Sequence, residues 1–576
     1  MSKRSSRQSM FRRYPALIFI VAAGALAVLL PTALNVPTSG PSTLAEFAPV
    51  PGKGQGDSDL ADLGAASSGG LGFGSGSGNT GGGGGAALQA PPSQKKPRLK
   101  RCVGNPPRQT EDPRSPPCVA FFEGDNGGAT TRGVTRDEVT VVIHFGNPTG
   151  GANPRPAGFN DLSGPITEQD PDLERHAKAF AKYFNDRYQT YDRYVHFWGF
   201  RTSAASSDQV GYRASVSQID SEKKPFALIP YNELAPVIAD EAAARKIFGV
   251  TYGASGRADY QKSPPYLVTF SPDLEDQAAS LSGYICTKLV GRRARHAPDP
   301  TFQQRTREFG VFYSSDSSRP QSAQLKDLLR GELQSRCGMT PKIEVPVVVG
   351  PNYTSPATQM RSADVTTVIT LYGGGFSTNM SIHAGAQKWY PEWIVGANVE
   401  NSSNDVATSA WLHDPAVWKG AFGITYDYRR DSIANQTWYA AYREACSSCS
   451  GGATVTARLY DEFALLFYGI QAAGPKLTPA NLDKGMHAIP QRGSSDPYRP
   501  AAYFSPGNYS FIKDAMEIWW DGVSPPPGDT RPGCYRVPNE GLRFRAKDWS
   551  GDDSQLFSAG QAGGPCQGVS QPPAGG

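Results

Sequence analysis

Short apolar runs alternate with longer amphipathic segments along most of the chain after residue 133. The run from Val139 to Phe145 is rich in β-branched residues and ends at Gly146, so it predicts a buried strand. From 172 to 188 the apolar side chains recur at helical spacing and predict a helix. The same pattern predicts strands at 194–200, 225–229 and 248–252, and helices at 206–219 and 233–248. Strands separated by helices of this kind are typical of βαβ units with a parallel sheet.

The alternation restarts after residue 271 and continues to 473. It predicts strands at 309–313, 343–349, 365–371, 393–395 and 420–426, and helices at 273–290, 321–337, near 358, at 436–446 and at 459–473. Two successive sets predict an α/β protein with two similar Rossmann-like lobes, each holding a parallel sheet. Such sheets bind ligands at the carboxyl ends of their strands, and we expect the site there.

The first 101 residues differ in pattern from the rest. Basic residues precede an uncharged apolar run from 16 to 30, and no acidic residue occurs before Glu46. We therefore expect residues 1–36 to be a membrane segment, either a cleaved signal peptide or an uncleaved signal anchor, and both remain open. Residues 37–101 are rich in Gly, Pro and Ser and predict a disordered linker, because such a segment buries too little apolar surface to fold. The basic flank places the body that follows outside the membrane.

Charge and cysteine content narrow the class of protein. The chain carries a net charge of +4, but its excess of basic residues lies before residue 102, so the body is slightly acidic. A slightly acidic body argues against nucleic acid as the main partner. All eight cysteines lie beyond residue 101, and their even number indicates disulfides formed in an oxidising compartment.

Neighbouring cysteines are the preferred disulfide partners among the many pairings that eight cysteines allow. We expect Cys102 to pair with Cys118, Cys286 with Cys337, Cys446 with Cys449, and Cys534 with Cys566. The Cys446–Cys449 spacing also occurs in redox sites, but those open a helix after a strand, whereas this pair follows a predicted helix. Residues 525–576 are rich in Pro and Gly and predict a tail with one disulfide.

Two motifs resemble a known family in their order and spacing. Val368–Phe376 ends in Tyr-Gly-Gly-Gly-Phe and is followed by the strand-like 393–398, and Leu459–Gly474 begins Leu-Tyr-Asp and closes in Ala-Ala-Gly. Together they resemble type I periplasmic binding proteins, in the branch of branched-chain amino-acid receptors of ABC importers. The resemblance implies a hinged receptor that closes on a small solute. It places lobe 1 at 102–270 with a return segment at about 430–490, and lobe 2 at 271–429 with about 491–524.

The resemblance implies ligand residues at the strand ends. The family binds a carboxylate after the third and fourth strands, where this chain has Asn232 and the turn Gly253-Ala254-Ser255. Hydroxyl, amide and backbone N–H groups there are able to bind a carboxylate. Tyr372 precedes the glycines and corresponds to the family's cleft tyrosine. Each of these residues also suits an ordinary structural role. Asn232 is equally suited to cap the helix predicted from 233, Ser255 is suited to an ordinary turn, and Tyr372 is suited to a position in the core.

The acid that binds a ligand ammonium in the family is replaced. Its position corresponds to Asn398, and the nearby acids that remain are Glu400 and Asp316. An ammonium buried without a carboxylate is costly, so leucine-like amino acids are expected to bind poorly unless one of these acids supplies the charge.

Two functions remain open from the sequence. The first is an extracellular solute-binding receptor for ABC-type import, with a small carboxylate or amide as ligand and a permease as partner. The alternative is a surface-anchored sensor or interaction module of the same fold. We expect the protein to be secreted or held on the outer face of the membrane by its N-terminal segment. The sequence shows no catalytic motif and no metal-ligand spacing among its histidines, so we expect no enzyme activity, metal or cofactor.

Overall fold

The computed structural model describes the body of the chain. The described residues are 102–103, 107–109, 115–147, 156–168, 170–205, 207–232, 234–253, 255–316, 320–348, 353–371, 375–396, 414–449, 456–489, 500–558 and 563–569. The predicted membrane segment 1–36 and linker 37–101 lie outside them. Among the helices of the described part, none has the length and apolarity needed to cross a bilayer.

The first lobe contains a six-stranded sheet in the order β4-β5-β3-β6-β7-β8. Its strands are β3 (Glu138–His144), β4 (Gly158–Asp161), β5 (Tyr194–Arg201), β6 (Ala227–Pro230), β7 (Phe248–Thr251) and β8 (Leu267–Thr269). Only β4 runs antiparallel to its neighbour. Val141 and Ile143 pack into one core, and Val142 packs into another on the opposite face. This explains the unbroken apolar run in β3, because helices cover both faces of the sheet.

Helices of the first lobe come from two parts of the chain. They are α1 (Asp172–Arg187), α2 (Gln209–Lys223), α3 (Ala235–Ala244) and α4 (Arg257–Gln261), followed much later by α11 (Thr437–Ala445), α12 (Thr456–Ala473) and α13 (Pro479–Ala488). The predicted helix at 206–219 begins three residues later, because the Asp208 side chain accepts a hydrogen bond from Gly211 N at 2.9 Å and caps it. A separate pair of short strands, β1 (Cys102–Val103) and β2 (Arg108–Gln109), precedes the lobe.

The second lobe contains an eight-stranded sheet in the order β10-β9-β11-β12-β13-β14-β15, with β16 paired to β14. Its strands are β9 (Phe309–Ser314), β10 (Ile343–Val347), β11 (Thr367–Thr370), β12 (Glu392–Val395), β13 (Ala421–Thr425), β14 (Ala515–Asp521), β15 (Cys534–Arg536) and β16 (Arg543–Phe544). Strands β9 to β13 are parallel, whereas β14 to β16 join antiparallel. The helices are α5 (Leu274–Lys288), α6 (Pro300–Gln303), α7 (Gln321–Cys337), α8 (Thr354–Ser362), α9 (Gly375–Ala386) and α10 (Pro415–Trp418).

Three crossing segments join the lobes, at 270–273, 426–436 and 512–514. The third lies later than the sequence predicted. Phe511 N donates to Thr269 O at 3.0 Å, and Ile512 N donates to Phe270 O at 3.2 Å. Residues 500–512 therefore extend the edge of the first lobe, and the boundary predicted at 491 moves to about 513.

The predicted tail 525–576 is wrong for its described residues, which belong to the second lobe. β15 and β16 extend the sheet on β14, and Tyr535, Trp549 and Leu556 are buried. Apolar residues are too sparse and irregular among the prolines and glycines of this segment to show a period. The four predicted disulfides, including Cys534–Cys566 within this segment, are all present.

Arg543 of β16 holds the second and third crossings together. Its Nη2 donates to Tyr426 O at 2.8 Å and to Asp514 O at 3.0 Å, while Nε donates to Asp514 Oδ1 at 2.7 Å. Its Nη1 donates to Asp427 O. Arg543 is fully buried in these contacts, so its charge is compensated only while both crossings stay in place.

Residues 563–569 bind the second crossing from another side. Gly568 N donates to Arg430 O at 2.9 Å, and Arg430 N donates to Gln567 Oε1 at 2.8 Å. Gln436 Nε2 donates to Val569 O at 2.7 Å. The second crossing is therefore held along its length by this late part of the chain.

Candidate functional site

The strands β3, β6 and β7 end at one edge of the first sheet, and polar and aromatic residues follow each end. The adjacent strand β8 leads from this edge into the first crossing, and β13 of the second lobe leads into the second crossing. The carboxyl ends of parallel strands in both sheets thus adjoin the hinge. This is the edge at which doubly wound sheets bind ligands.

Asn232, predicted as a ligand residue, is fully buried beside His144 at the end of β3. Its Nδ2 donates to His144 O at 2.9 Å and lies 3.1 Å from His144 Nδ1. Its Oδ1 accepts from Leu234 N at 2.9 Å, which holds the turn before α3 and is not a side-chain cap of that helix. A ligand that accepts from the Asn232 N–H groups requires one of the two contacts to His144 to break.

His144 is neutral, because complete burial lowers its pKa to about 3. Ser215 Oγ donates to Tyr212 O at 2.6 Å, so the 2.7 Å contact between His144 Nε2 and Ser215 Oγ is donated by the imidazole. Nδ1 then accepts, from Gly146 N at 3.1 Å and from Asn232. The network assigns the Nε2–H tautomer and fixes the Asn232 amide.

The turn after β7 is held by Tyr260. Its hydroxyl accepts from Ser255 N at 2.9 Å and donates to Gly253 O at 3.1 Å, and Thr269 Oγ1 also donates to Gly253 O at 3.0 Å. Ser255 is 9% exposed, and a Cβ built on Gly253 would meet no atom within 4 Å. Gly253 and Ser255 are therefore both held by Tyr260, with open space beside Gly253.

The remaining predicted ligand residues stay predictions. Ala254, Tyr372 and Asn398 lie outside the described residues, as does Glu400. Asp316 lies after β9, half-buried, with its backbone N–H donating to Ser314 Oγ at 3.2 Å.

A cluster that the sequence did not predict lies at the same edge as Asn232. It consists of Tyr231 after β6, Tyr252 after β7, and Arg458 and Glu462 on the first turns of α12. The Arg458 guanidinium carbon is 5.0 Å from the Tyr231 ring centroid and 5.8 Å from that of Tyr252. Tyr252 OH donates to Asp427 Oδ1 at 3.1 Å, which joins the cluster to the second crossing.

Burial changes the acid–base character of the cluster. It raises the pKa of Glu462 to about 8, with Arg458 opposing the shift, and the pKa of Tyr231 is also raised by burial. At neutral pH the Glu462 carboxyl is therefore mostly protonated, and Arg458 keeps its charge. Only a weak signal in the sequence pointed to this cluster. Arg458 stands immediately before the motif that begins at Leu459, but a charged residue at the start of a helix is usually solvated.

Comparisons with known proteins agree with this architecture. A family model described as "Periplasmic binding protein" matches residues 157–508. A comparison with curated proteins gives no match.

Several solved structures are similar to the chain at low identity. One is a solute-binding protein of an ABC transporter from Rhodopseudomonas palustris HaA2 in complex with p-hydroxybenzoic acid, 13% identical with a TM-score of 0.48, covering 72% of this chain and 99% of that one. Another is a leucine-binding protein, LivK, from Thermotoga maritima MSB8, 12% identical with a TM-score of 0.45, covering 66% and 95%. A branched-chain amino-acid ABC transporter ligand-binding protein from Burkholderia xenovorans LB400 is 11% identical with a TM-score of 0.46, covering 71% and 96%.

Proposed function

This chain belongs to the type I periplasmic binding proteins, and from that membership we propose that it is an extracellular receptor that closes two lobes on a small polar ligand for ABC-type import. One observation carries the proposal: strands of both sheets end at the three crossings, where the ligand edge of one lobe adjoins the hinge. Closure about such a hinge buries a ligand between the strand ends.

Ser255 and the backbone beside Gly253 are proposed to hold a polar end of the ligand, with Asn232 shaping the adjacent loop. The open space at Gly253 and the hydrogen bonds of Tyr260 to Gly253 and Ser255 support direct contact there. Ala254, Tyr372 and Asn398 complete the proposed ligand set. A permease of the importer is the proposed protein partner, and the N-terminal segment is proposed to hold the receptor at the membrane or to direct its secretion.

A ligand screen by thermal shift tests the receptor function. A ligand at 100 times its Kd stabilises the folded state by about 2.7 kcal/mol, enough to raise the melting temperature measurably. Small-angle scattering on each hit should show a smaller radius of gyration with ligand, because the lobes close. Hits that stabilise the protein without making it more compact would contradict closure.

Ser255→Ala separates the proposed site from binding elsewhere. Loss of one hydrogen bond to a charged ligand group is expected to weaken binding by roughly 1.5–3 kcal/mol. Ser335→Ala, at an exposed position on α7, is the matched control and should bind like wild type. Equal affinity in both variants would remove Ser255 from the site. Uptake of the ligand that requires this protein in cells would then support import, whereas binding without uptake would favour a sensor.

A further inference from the structure

The turn after β7, which carries Ser255, is bonded directly to a helix of the second lobe. Ser255 O accepts a hydrogen bond from Leu274 N at 3.1 Å, and Leu274 is the first residue of α5. Two residues after Ser255, Arg257 N donates to Glu275 Oε2 at 2.6 Å. The backbone around Ser255 therefore contacts the start of α5 at two points.

The other end of α5 is fixed within the second lobe. Cys286 of α5 forms a disulfide with Cys337, the last residue of α7. Lys288 Nζ, also on α5, donates to Glu517 Oε2 of β14 at 2.7 Å, and both side chains are buried. Helix α5 therefore moves with the second lobe, and its contacts with the turn after β7 are contacts between the lobes.

The side chain of Arg257 adds an ion pair across the same junction. Its Nε donates to Asp273 Oδ2 at 2.8 Å, and its Nη2 donates to Asp273 Oδ1 at 3.0 Å and to Asp276 Oδ1 at 2.6 Å. Asp273 is fully buried and also caps α5, because its Oδ1 accepts from Asp276 N at 2.7 Å. Removing one partner of a buried pair leaves an uncompensated charge, which is strongly destabilising. A rotation that separates α5 from Arg257 is opposed for the same reason.

A second part of the first lobe binds the same helix start. Asp276 Oδ2 accepts from Lys513 Nζ at 3.1 Å, from Asn508 Nδ2 at 3.2 Å and from Ser510 Oγ at 3.2 Å. Asn508 and Ser510 lie in the segment that extends the edge of the first lobe, and Lys513 lies in the third crossing. One oxygen of Asp276 thus binds Arg257 and the other binds the third crossing, which joins the first and third crossings in one network.

We propose that Arg257 is a positioning residue that ties the turn after β7 to α5, so that the placement of Ser255 depends on the angle between the lobes. The proposal rests on the receptor function above and adds how its site is regulated. When the second lobe rotates, the start of α5 moves with it, and the bonds from Arg257 and Ser255 move the turn as well. Because coupling between two sites is reciprocal, a ligand that fixes this turn also favours one angle between the lobes.

Distances between paired spin labels on the ligand-free protein test this coupling. All eight cysteines of the chain form disulfides, so introduced cysteines alone take the labels. Gly253→Cys with Val348→Cys measures the distance from the turn to the second lobe, and Val210→Cys with Val348→Cys measures the distance between the lobes. Val348→Cys with Val523→Cys lies within the second lobe and is the internal reference. The three valines are exposed, and a Cβ built on Gly253 would meet no atom within 4 Å.

Arg257→Gln should broaden the turn-to-lobe and lobe-to-lobe distance distributions at least twofold and leave the internal reference unchanged. Arg257→Lys should recover only part of the wild-type width, because an ammonium lacks the forked donors that bind two acids at once. Arg305→Gln is the matched control and should leave all three distributions unchanged. The Arg305 side chain is as exposed as that of Arg257, at 35% and 34%, but it binds Asp364 within the second lobe.

A double variant keeps the test valid if Arg257→Gln does not fold. Arg257→Gln with Asp273→Asn removes both charges of the pair, so no carboxylate stays buried without a partner, and asparagine still suits the cap of α5. This variant should broaden the same two distributions.

The outcomes separate the coupling from the receptor function. An unchanged turn-to-lobe distribution in the folded variants overturns the coupling, while a thermal-shift hit that makes the protein more compact keeps the receptor function. Broadening of all three distributions means general loosening and also overturns the coupling. Broadening of only the two distributions that span the lobes supports the coupling, and a screen without hits would then contradict the receptor function alone.

Discussion

Replacing Glu462 with Gln should stabilise the fold at neutral pH and flatten its pH dependence. The carboxyl is completely buried, and its pKa rises from 4.5 to about 8. In the unfolded chain it ionises near 4.5, whereas the folded protein keeps the proton until about 8. Between those values folding takes up a proton, so stability falls as the pH rises, and above pH 8 the loss is complete. Each pKa unit corresponds to about 1.4 kcal/mol, which sets the loss across the window at up to about 4–5 kcal/mol.

Urea denaturation followed by tryptophan fluorescence at pH 5, 6, 7 and 8 measures this effect. Gln has the size of a protonated Glu but does not titrate, so the variant should exceed the wild type in stability by about 2–3 kcal/mol at pH 7, with a smaller difference at pH 5. Glu332→Gln, on the surface of α7, is the control and should change the stability by less than about 1 kcal/mol. A difference between Glu462→Gln and wild type that stays constant from pH 5 to 8 would refute the protonated carboxyl.

Three further changes test the late segment of the chain. Arg543→Gln should lower the free energy of unfolding by about 3–5 kcal/mol in urea titrations, because it leaves a buried carboxylate unpaired. Gly568→Ala should destabilise the protein, since the added Cβ would lie 1.7 Å from a backbone oxygen, whereas Gly253→Ala meets no atom within 4 Å and should be neutral in thermal melts. Replacing Cys534 and Cys566 by Ser should cost roughly 3–4 kcal/mol through the loop they close, measured by the same titration.

For each of these changes, one result would contradict the prediction. Arg213→Gln, which breaks a surface pair with Asp240, is the control for Arg543 and should cost less than about 1 kcal/mol. Equal losses in the two arginine variants would mean that the crossings are not held by Arg543. A neutral Gly568→Ala variant would place residues 563–569 away from the second crossing. A variant with Ser at positions 534 and 566 that is as stable as wild type would show that this disulfide constrains little.

The sequence could predict the parallel sheets because their strands are covered on both faces. The strand predicted at 309–313 and the helix predicted at 321–337 agree with the observed bounds of β9 and α7. An unbroken apolar run of this length indicates a buried strand, and a helical period indicates a helix. The start of a helix differed from the prediction where a capping side chain determines it, as Asp208 does for α2. The segment after 525 escaped prediction because its buried residues have no periodic spacing, and only pairing with β14 orders them.

The site was less accessible from sequence than the fold. Asn232 and Ser255 were predicted from the family resemblance and from their position after strands, but the hydrogen bonds that engage the Asn232 amide depend on His144, which is 88 residues away. Arg458 and Tyr231 are separated by more than 200 residues and meet only in the folded lobe. No local sequence pattern indicates that these two residues are close in space. No local pattern indicates the burial that keeps the Glu462 carboxyl protonated.

The strand that pairs with β13 comes late in the chain, and this order has a consequence for biosynthesis. Strand β13 ends at Thr425, but its partner β14 begins at Ala515, so about 90 residues must be translated before that edge is paired. At roughly 5–20 residues per second, the edge stays open for about 5–20 seconds on the ribosome. Arg543 and the segment from 563 emerge later still. An unpaired strand edge invites association with other chains, so a nascent chain of this protein is exposed to such association until β14 arrives.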